Sequence, residues 1–283
     1  QSHSGTLAVD NEIWSALFRR FAIVEAGSPK ALIETLKLLG SPKPPKGNRI
    51  VAAANSGGYA AMIGEKGRDV GLEFPAPTEA QRNALIKTVP QLVSLMNPLD
   101  WNLPWAAMST PDTSHNGMGI LMDDRCDLLV YFVDWPREPK VADVWWPTLE
   151  GLTQLNNRME CPVVIASVLP DGLPADLRLR LADAGIVTLQ GLDDTLSAFS
   201  AAACYPKLRA QILADVDSRV LPVPAAQAAG VTTLNEAMGK ALLADHGVTV
   251  PACVTGTAEE VTNAADRLGY PLAVKLLNAD LAH

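Results

Sequence analysis

The chain has 283 residues, 48% hydrophobic and 5% aromatic, with a formal net charge of -8. That length and apolar content suffice for two modest cores, while an acidic balance without basic clusters interleaved with aromatics argues against nucleic acid as a partner. The longest apolar runs, such as LLVYFV at 128–133, are far too short to span a bilayer, and no charged-then-apolar leader opens the chain, so neither membrane insertion nor secretion is expected.

In chain order, QSHSGTLA at 1–8 sets a histidine between serines and ahead of a glycine, a small-residue loop on which an imidazole could swing and carry a group. IWSALFRRFAIVEAG has apolar residues at helical spacing followed by a strand-like FAIVEA, and Ser28-Pro29 starts a second helix, PKALIETLKLL. GSPKPPKGN at 40–48 reads as a linker. Residues 1–39 are too few for a domain of their own, so they are expected to be the end of an upstream domain.

From residue 49 buried strands alternate with amphipathic helices. The runs RIVAAAN, CDLLVYFVDW, CPVVIASVL and IVTLQ are each followed by a helical pattern: GGYAAMIGEKGRDVG, VADVWWPTLEGLTQLNNR, PADLRLRLADAG and DDTLSAFSAAACY. Continuous apolar strands with intervening helices predict a doubly wound parallel α/β domain over 49–215. A Pro- and Ala-rich linker at 216–230 precedes the last segment, 231–283. There Thr233/Glu236 and Thr257/Glu260 read as capping boxes and PLAVKLL as a strand, which makes the segment the start of a further domain.

Cys126, Cys161, Cys204 and Cys253 are scattered singly, which argues against a zinc site or a disulfide framework and suits a reducing cytoplasm. Each is read as a small buried hydrophobe. His115, His246 and His283 are read as solvent-facing or capping.

Three stretches can carry chemistry. In NSGGYAAM, Gly57 and Gly58 let the backbone turn from strand into helix, so that first-turn amides and the helix dipole could receive a phosphate or carboxylate beside Asn55 and Ser56. Tight helix-on-strand packing would explain the glycines equally well. NPLDWNLPW at 97–105 reads either as a structural turn or as a loop at the carboxyl edge of the sheet, with Asp100, Trp101 and Trp105 walling an acyl pocket. Lys275, in a buried strand pattern, either snorkels at a sheet edge or reaches a bound phosphate.

Together these residues resemble the NDP-forming acyl-CoA synthetases, relatives of succinyl-CoA synthetase. SHSGTLA is similar to the family's SHTGALAG phosphohistidine loop, NSGGYAA to its TNSGGxG helix start and NPLD to its NPVD turn. LNEAMGKALLADHGVTVP with GYPLAVKLLNADLAH is similar to the opening of its ATP-grasp domain. The resemblance implies a flavodoxin-like CoA-ligase domain followed by the start of an ATP-grasp domain. It also implies ligation of a carboxylic acid to coenzyme A with ATP and Mg2+, giving ADP and phosphate. His3 would be the phosphorylated nucleophile, Asn55, Ser56, Gly57 and Gly58 its phosphate cradle, and Lys275 an ATP contact. The metal site and the CoA-binding region are expected outside this chain, which reads as the middle of a longer polypeptide that would be inactive by itself; a homodimer is an open expectation. Val9 departs from the family pattern, which has glycine there. Two other readings stay open: a CoA-responsive regulatory module of a protein acyltransferase, and a flavodoxin-like domain binding another anion.

Overall fold

A computed structural model of the chain describes residues 10–92, 94–101, 108–214 and 234–277. The chain divides into two units, within residues 1–220 and 221–283. In the first, β1 (Ile50–Ala54), β2 (Leu99–Asp100), β3 (Leu128–Phe132), β4 (Val163–Ser167) and β5 (Val187–Gln190) form a five-stranded parallel sheet in the order β2-β1-β3-β4-β5. This is the flavodoxin-like order, in which connections leave β1 and β3 in opposite directions and open a crevice at the carboxyl ends of the strands. Every residue of β1, β3 and β4 is buried, the outcome that continuous apolar runs demand of a sheet covered on both faces.

Alternate residues of each strand feed two separate cores. Val51, Ala53, Leu129, Tyr131, Val163 and Ile165 belong to one, with Leu177 and Leu181 of α8 (Ala175–Asp183). Ile50, Ala52, Leu128, Val130, Phe132 and Val164 belong to the other. On that second face lie α2 (Pro29–Leu39), α3 (Gly57–Asp69) and α9 (Leu192–Ala214), with α2 and α9 packed together. The helix α2 starts as its sequence dictates: the Ser28 hydroxyl accepts from Ala31 N at 2.9 Å and Pro29 opens the first turn. The segment 40–48 is anchored too, since Lys43 Nζ donates to the carbonyls of Asn156 (2.6 Å) and Met159 (2.8 Å). These lie at the carboxyl end of α7 (Trp146–Arg158), where a cation offsets the helix dipole.

Several elements depart from the sequence reading. FAIVEA forms no strand: α1 (Asn11–Arg20) ends in a reversal instead, with Ala22 at φ 50 and Ile23 N donating to Phe18 O at 2.8 Å. That is a Schellman closure, in which the local backbone bonds outcompete pairing. The helices α4 (Glu79–Thr88) and α5 (Pro111–Gly119) were not legible as periodic patterns, because α4 buries only Leu85 and α5 buries a mixture of Ser114, His115, Gly117 and Met118. The available signal for α4 was its capping box, Thr78 with Gln81. The expected single helix over VADVWWPTLEGLTQLNNR is broken into α6 (Pro139–Ala142), a 3-10 turn at Asp143–Trp145 and α7, with Pro147 in the first turn of the last. His115, expected at the surface, is buried between α5 and α7, where its Nε2 lies 2.7 Å from Arg158 Nη1. Cys126 is buried as expected, whereas Cys204 and Cys253 are exposed, Cys204 lying outside the buried face of α9 that Leu196, Phe199 and Ala202 form.

In the second unit, α10 (Glu236–Asp245) is capped by Asn235, whose side chain accepts from Met238 N at 2.9 Å. The expected cap Thr233 lies outside the described residues, as does the 216–230 linker. The box of Thr257 and Glu260 does open α11 (Ala258–Leu268). The segment 271–277 takes no strand conformation, and Val274 and Leu276 are exposed. A strand is defined by its neighbour, and no strand is assigned to this unit among the described residues. No helix among the described residues is long and apolar enough to cross a membrane.

Candidate functional site

The crevice at the carboxyl ends of β1, β2 and β3 holds a cavity of about 620 Å³. Asn55, Ser56 and Gly57 enter it from the turn between β1 and α3, Asp100 from the end of β2, and Phe132, Val133 and Asp134 from the end of β3. The two-residue register of β2 on β1, Ala53 with Leu99 and Ala54 with Asp100, is what brings Asp100 beside Gly57. A Cβ built on Gly57 would stand 3.0 Å from Asp100 Oδ2. Beneath the turn, Asn97 fastens the same edge: its Oδ1 accepts from Ala52 N at 3.0 Å and its Nδ2 donates to Ile50 O at 2.7 Å.

At the start of α3 the Ser56 side chain makes no capping bond, whereas Ser28, Thr78 and Thr110 all cap their helices. Gly57 and Gly58 are exposed. The first-turn N–H groups of α3, which have no partner inside the helix, therefore face the crevice with the positive end of the dipole. Asn55 is oriented from below, because the buried Tyr131 hydroxyl donates to Asn55 Oδ1, leaving the amide N–H groups to the cavity. Burial pushes the Tyr131 phenol well above its ordinary value, so it stays a donor throughout the physiological range. Tyr59 is raised as well, first by burial and then by the Asp134 carboxylate.

Of the residues singled out in the sequence, Asn55, Ser56, Gly57 and Asp100 thus converge on one cavity, with Gly58 in the same turn. Trp101 does not join them. It is fully buried in the core, against Gly117 and Val89, because the residue after Asp100 points to the opposite face of the sheet. The tryptophan that lines the cavity is Trp145, from the 3-10 turn. His3 and Trp105 lie outside the described residues. Lys275 belongs to the second unit, where its side chain is 63% exposed and its ammonium pairs with Glu236 at 3.0 Å; a phosphate would have to displace that carboxylate. Among the described residues no three His, Cys, Asp or Glu side chains are gathered so as to hold a metal ion.

Comparison with known proteins gives this geometry a context. An ATP-grasp domain model matches residues 225–283. The alpha subunit of an ADP-forming acetate–CoA ligase from Pyrococcus furiosus is 25% identical over 129 residues, 46% of this chain and 27% of that protein. In sequence the chain is thus similar to an ADP-forming acyl-CoA ligase. Two solved structures of an acetyl-coenzyme A synthetase from Ca. Korarchaeum cryptofilum, one apo and one with phosphate and ADP, share the fold at a TM-score of 0.58, with 21% and 22% identity. Each alignment covers 75% of this chain and 45% of that one. A protein of Pyrococcus horikoshii matches at the same TM-score with 18% identity, over 71% of this chain and 45% of its own. The chain therefore spans less than half the length of these relatives.

Proposed function

We propose that this chain is the part of an NDP-forming acyl-CoA synthetase that carries the phosphoryl group between nucleotide and acid. The observation that carries the proposal is the uncapped amino end of α3, with exposed Gly57 and Gly58, opening on a cavity at the carboxyl ends of the sheet. His3 is the nucleophile in this reading. A neutral imidazole nitrogen attacks the terminal phosphoryl group of ATP and ADP leaves. The phosphohistidine then meets the α3 amides and the Asn55 amide, fixed donors that need no reorganisation to stabilise the charge of a transferring phosphoryl group. A carboxylate oxygen of the acid takes the phosphoryl group, freeing the imidazole. The thiol of coenzyme A attacks the carbonyl of the acyl phosphate, and inorganic phosphate departs with the C–O electron pair. The sum is acid, CoA and ATP going to acyl-CoA, ADP and phosphate.

Lys275 is assigned to nucleotide phosphates in this reading, exchanging Glu236 for them. Trp101 receives no acyl-binding role, since it is shut away in the core.

The test is phosphoryl labelling of the protein at its full natural length with γ-labelled ATP. A label that is lost in acid, stable in alkali and absent from His3→Ala is expected. A label that persists in His3→Ala, or no label with either protein, overturns the reading.

A further inference from the structure

Tyr131 puts a hydroxyl where the core needs only a ring. The side chain is fully buried and belongs with Val51, Ala53 and Leu129 to one face of the sheet, a place that phenylalanine would fill as well, and a buried hydroxyl is costly unless it is bonded. Its bond is to the half-buried Asn55, whose Oδ1 accepts from it.

Strand register makes the reach possible. Tyr131 stands opposite Ala53 in the parallel pairing of β3 on β1, and Asn55 follows Ala53 by two residues toward the crevice, a step of about 6.6 Å along the strand. The ring and hydroxyl of a tyrosine leaning along its own strand bridge such a step, and the short side chain of Ala53 leaves room for them.

An amide has two ends, and only one suits an anion. Oδ1 accepts and Nδ2 donates, so an asparagine free to turn could present either to the cavity that it lines. The buried phenol proton needs an acceptor. With Oδ1 toward Tyr131 that need is met and the Nδ2 protons are left for the cavity. Turned over, the amide would set Nδ2 against the hydroxyl, take the acceptor from the phenol proton and offer an incoming phosphate a lone pair. The cavity is a poor place for another acceptor: among the described residues its lining includes the carboxylates of Asp100 and Asp134 and no lysine or arginine. An anion there depends on neutral donors, the first-turn amides of α3 and the Asn55 amide.

We propose that Tyr131 is a positioning residue of the phosphate cradle: it touches neither phosphate nor acid, and acts by holding Asn55 with its N–H groups toward the anion. This deepens the ligase reading and rests on it.

The test is a titration of this chain, labelled with nitrogen-15, with inorganic phosphate. The side-chain amide pair of Asn55, identified by its loss in Asn55→Ala, and the backbone N–H of Gly58 report the anion. In the wild type both should shift along one saturating curve. Tyr131→Phe keeps the ring and should keep the fold, yet it is expected to raise the half-saturating phosphate concentration on the order of tenfold, the loss of about one well-placed hydrogen bond to a charged group. Followed at Gly58 in the Asn55→Ala background, the same change should add less than about twofold, because a residue that acts through another then has nothing left to act on. A packing defect would weaken binding in both backgrounds and lower the melting temperature. Equal half-saturation in Tyr131→Phe and wild type, an effect of Tyr131→Phe that persists undiminished without Asn55, or a wild-type Asn55 amide indifferent to phosphate would each overturn the proposal. The two readings fail separately: a labelled His3 beside an indifferent Asn55 removes only the positioning role, and a phosphate response that depends on Tyr131 without labelling of His3 removes only the ligase.

Discussion

The position a Cβ would take on Gly57 lies 3.0 Å from Asp100 Oδ2, while the same position on Gly58 meets nothing closer than Ser56 Oγ at 3.5 Å. Adjacent glycines at one helix start therefore have different tolerances. Gly58→Ala should fold normally, its stability within about 0.5 kcal/mol of wild type, because the methyl has room and alanine favours the helix. Gly58→Asp should fold too, yet reduce phosphoryl transfer about a hundredfold by setting a carboxylate against the incoming anion. Melting curves beside the rate at which the acid discharges phosphorylated His3 check both halves. An Asp variant that discharges as fast as wild type would show the glycines to be packing residues only.

Asn97 supplies the sheet edge below β2 with hydrogen bonds a longer strand would otherwise make. It is buried, and it serves Ala52 N, Ile50 O and, at 3.1 Å, Pro75 O. Asn97→Ala should cost about 2–4 kcal/mol, since buried backbone groups lose their partners together with a cavity's worth of contacts. Urea denaturation measures this. A loss below about 1 kcal/mol would mean that water replaces the amide.

Asp127 holds Arg49 through both oxygens, with Nε at 2.9 Å and Nη2 at 2.8 Å, and also accepts from Arg49 N at 3.1 Å. These bonds keep its carboxyl below the ordinary carboxylate range. A group whose folded pKa is depressed adds stability above its unfolded pKa, near ~4, and loses it as pH falls through the folded value. Arg49 is 39% exposed, so solvent screening limits the pair, and Asp127→Ala should cost only about 1–2 kcal/mol at pH 7. That gap should narrow progressively as the pH falls below ~4. Chemical denaturation of both proteins across that range gives the sign directly.

Ala22 ends α1 in the left-handed region at φ 50, where a Cβ is penalised and glycine is not. Ala22→Gly should leave the Schellman bonds in place and add about 0.5–1 kcal/mol of stability to the end of this helix. Hydrogen exchange at the Ile23 amide, which donates to Phe18 O, should slow in the variant. Faster exchange would show that the added unfolded-state freedom of glycine outweighs the relief.

The sequence by itself determined the class of the fold. Uninterrupted apolar runs such as LLVYF and VVIAS can be hidden only in a sheet covered on both faces, and the Asn-Ser-Gly-Gly turn between strand and helix marked the edge where a ligand would sit. The caps at Ser28 and Thr257 were likewise legible, because a cap is a contact within four residues. Contacts between distant residues were not. The strand expected over FAIVEA lost to a local helix closure, and the one over 271–277 pairs with no strand among the described residues. Trp101 was read as a cavity wall although it is core, while Trp145, read only as part of a helix, is the wall. Which face of the sheet a side chain takes depends on where its strand is registered, and Asp100 and Trp101 differ by a single residue. Only the tertiary structure set Asp100 beside Gly57 and brought Trp145 to the cavity, because no local pattern in a chain records which distant segments will meet at one edge of the sheet.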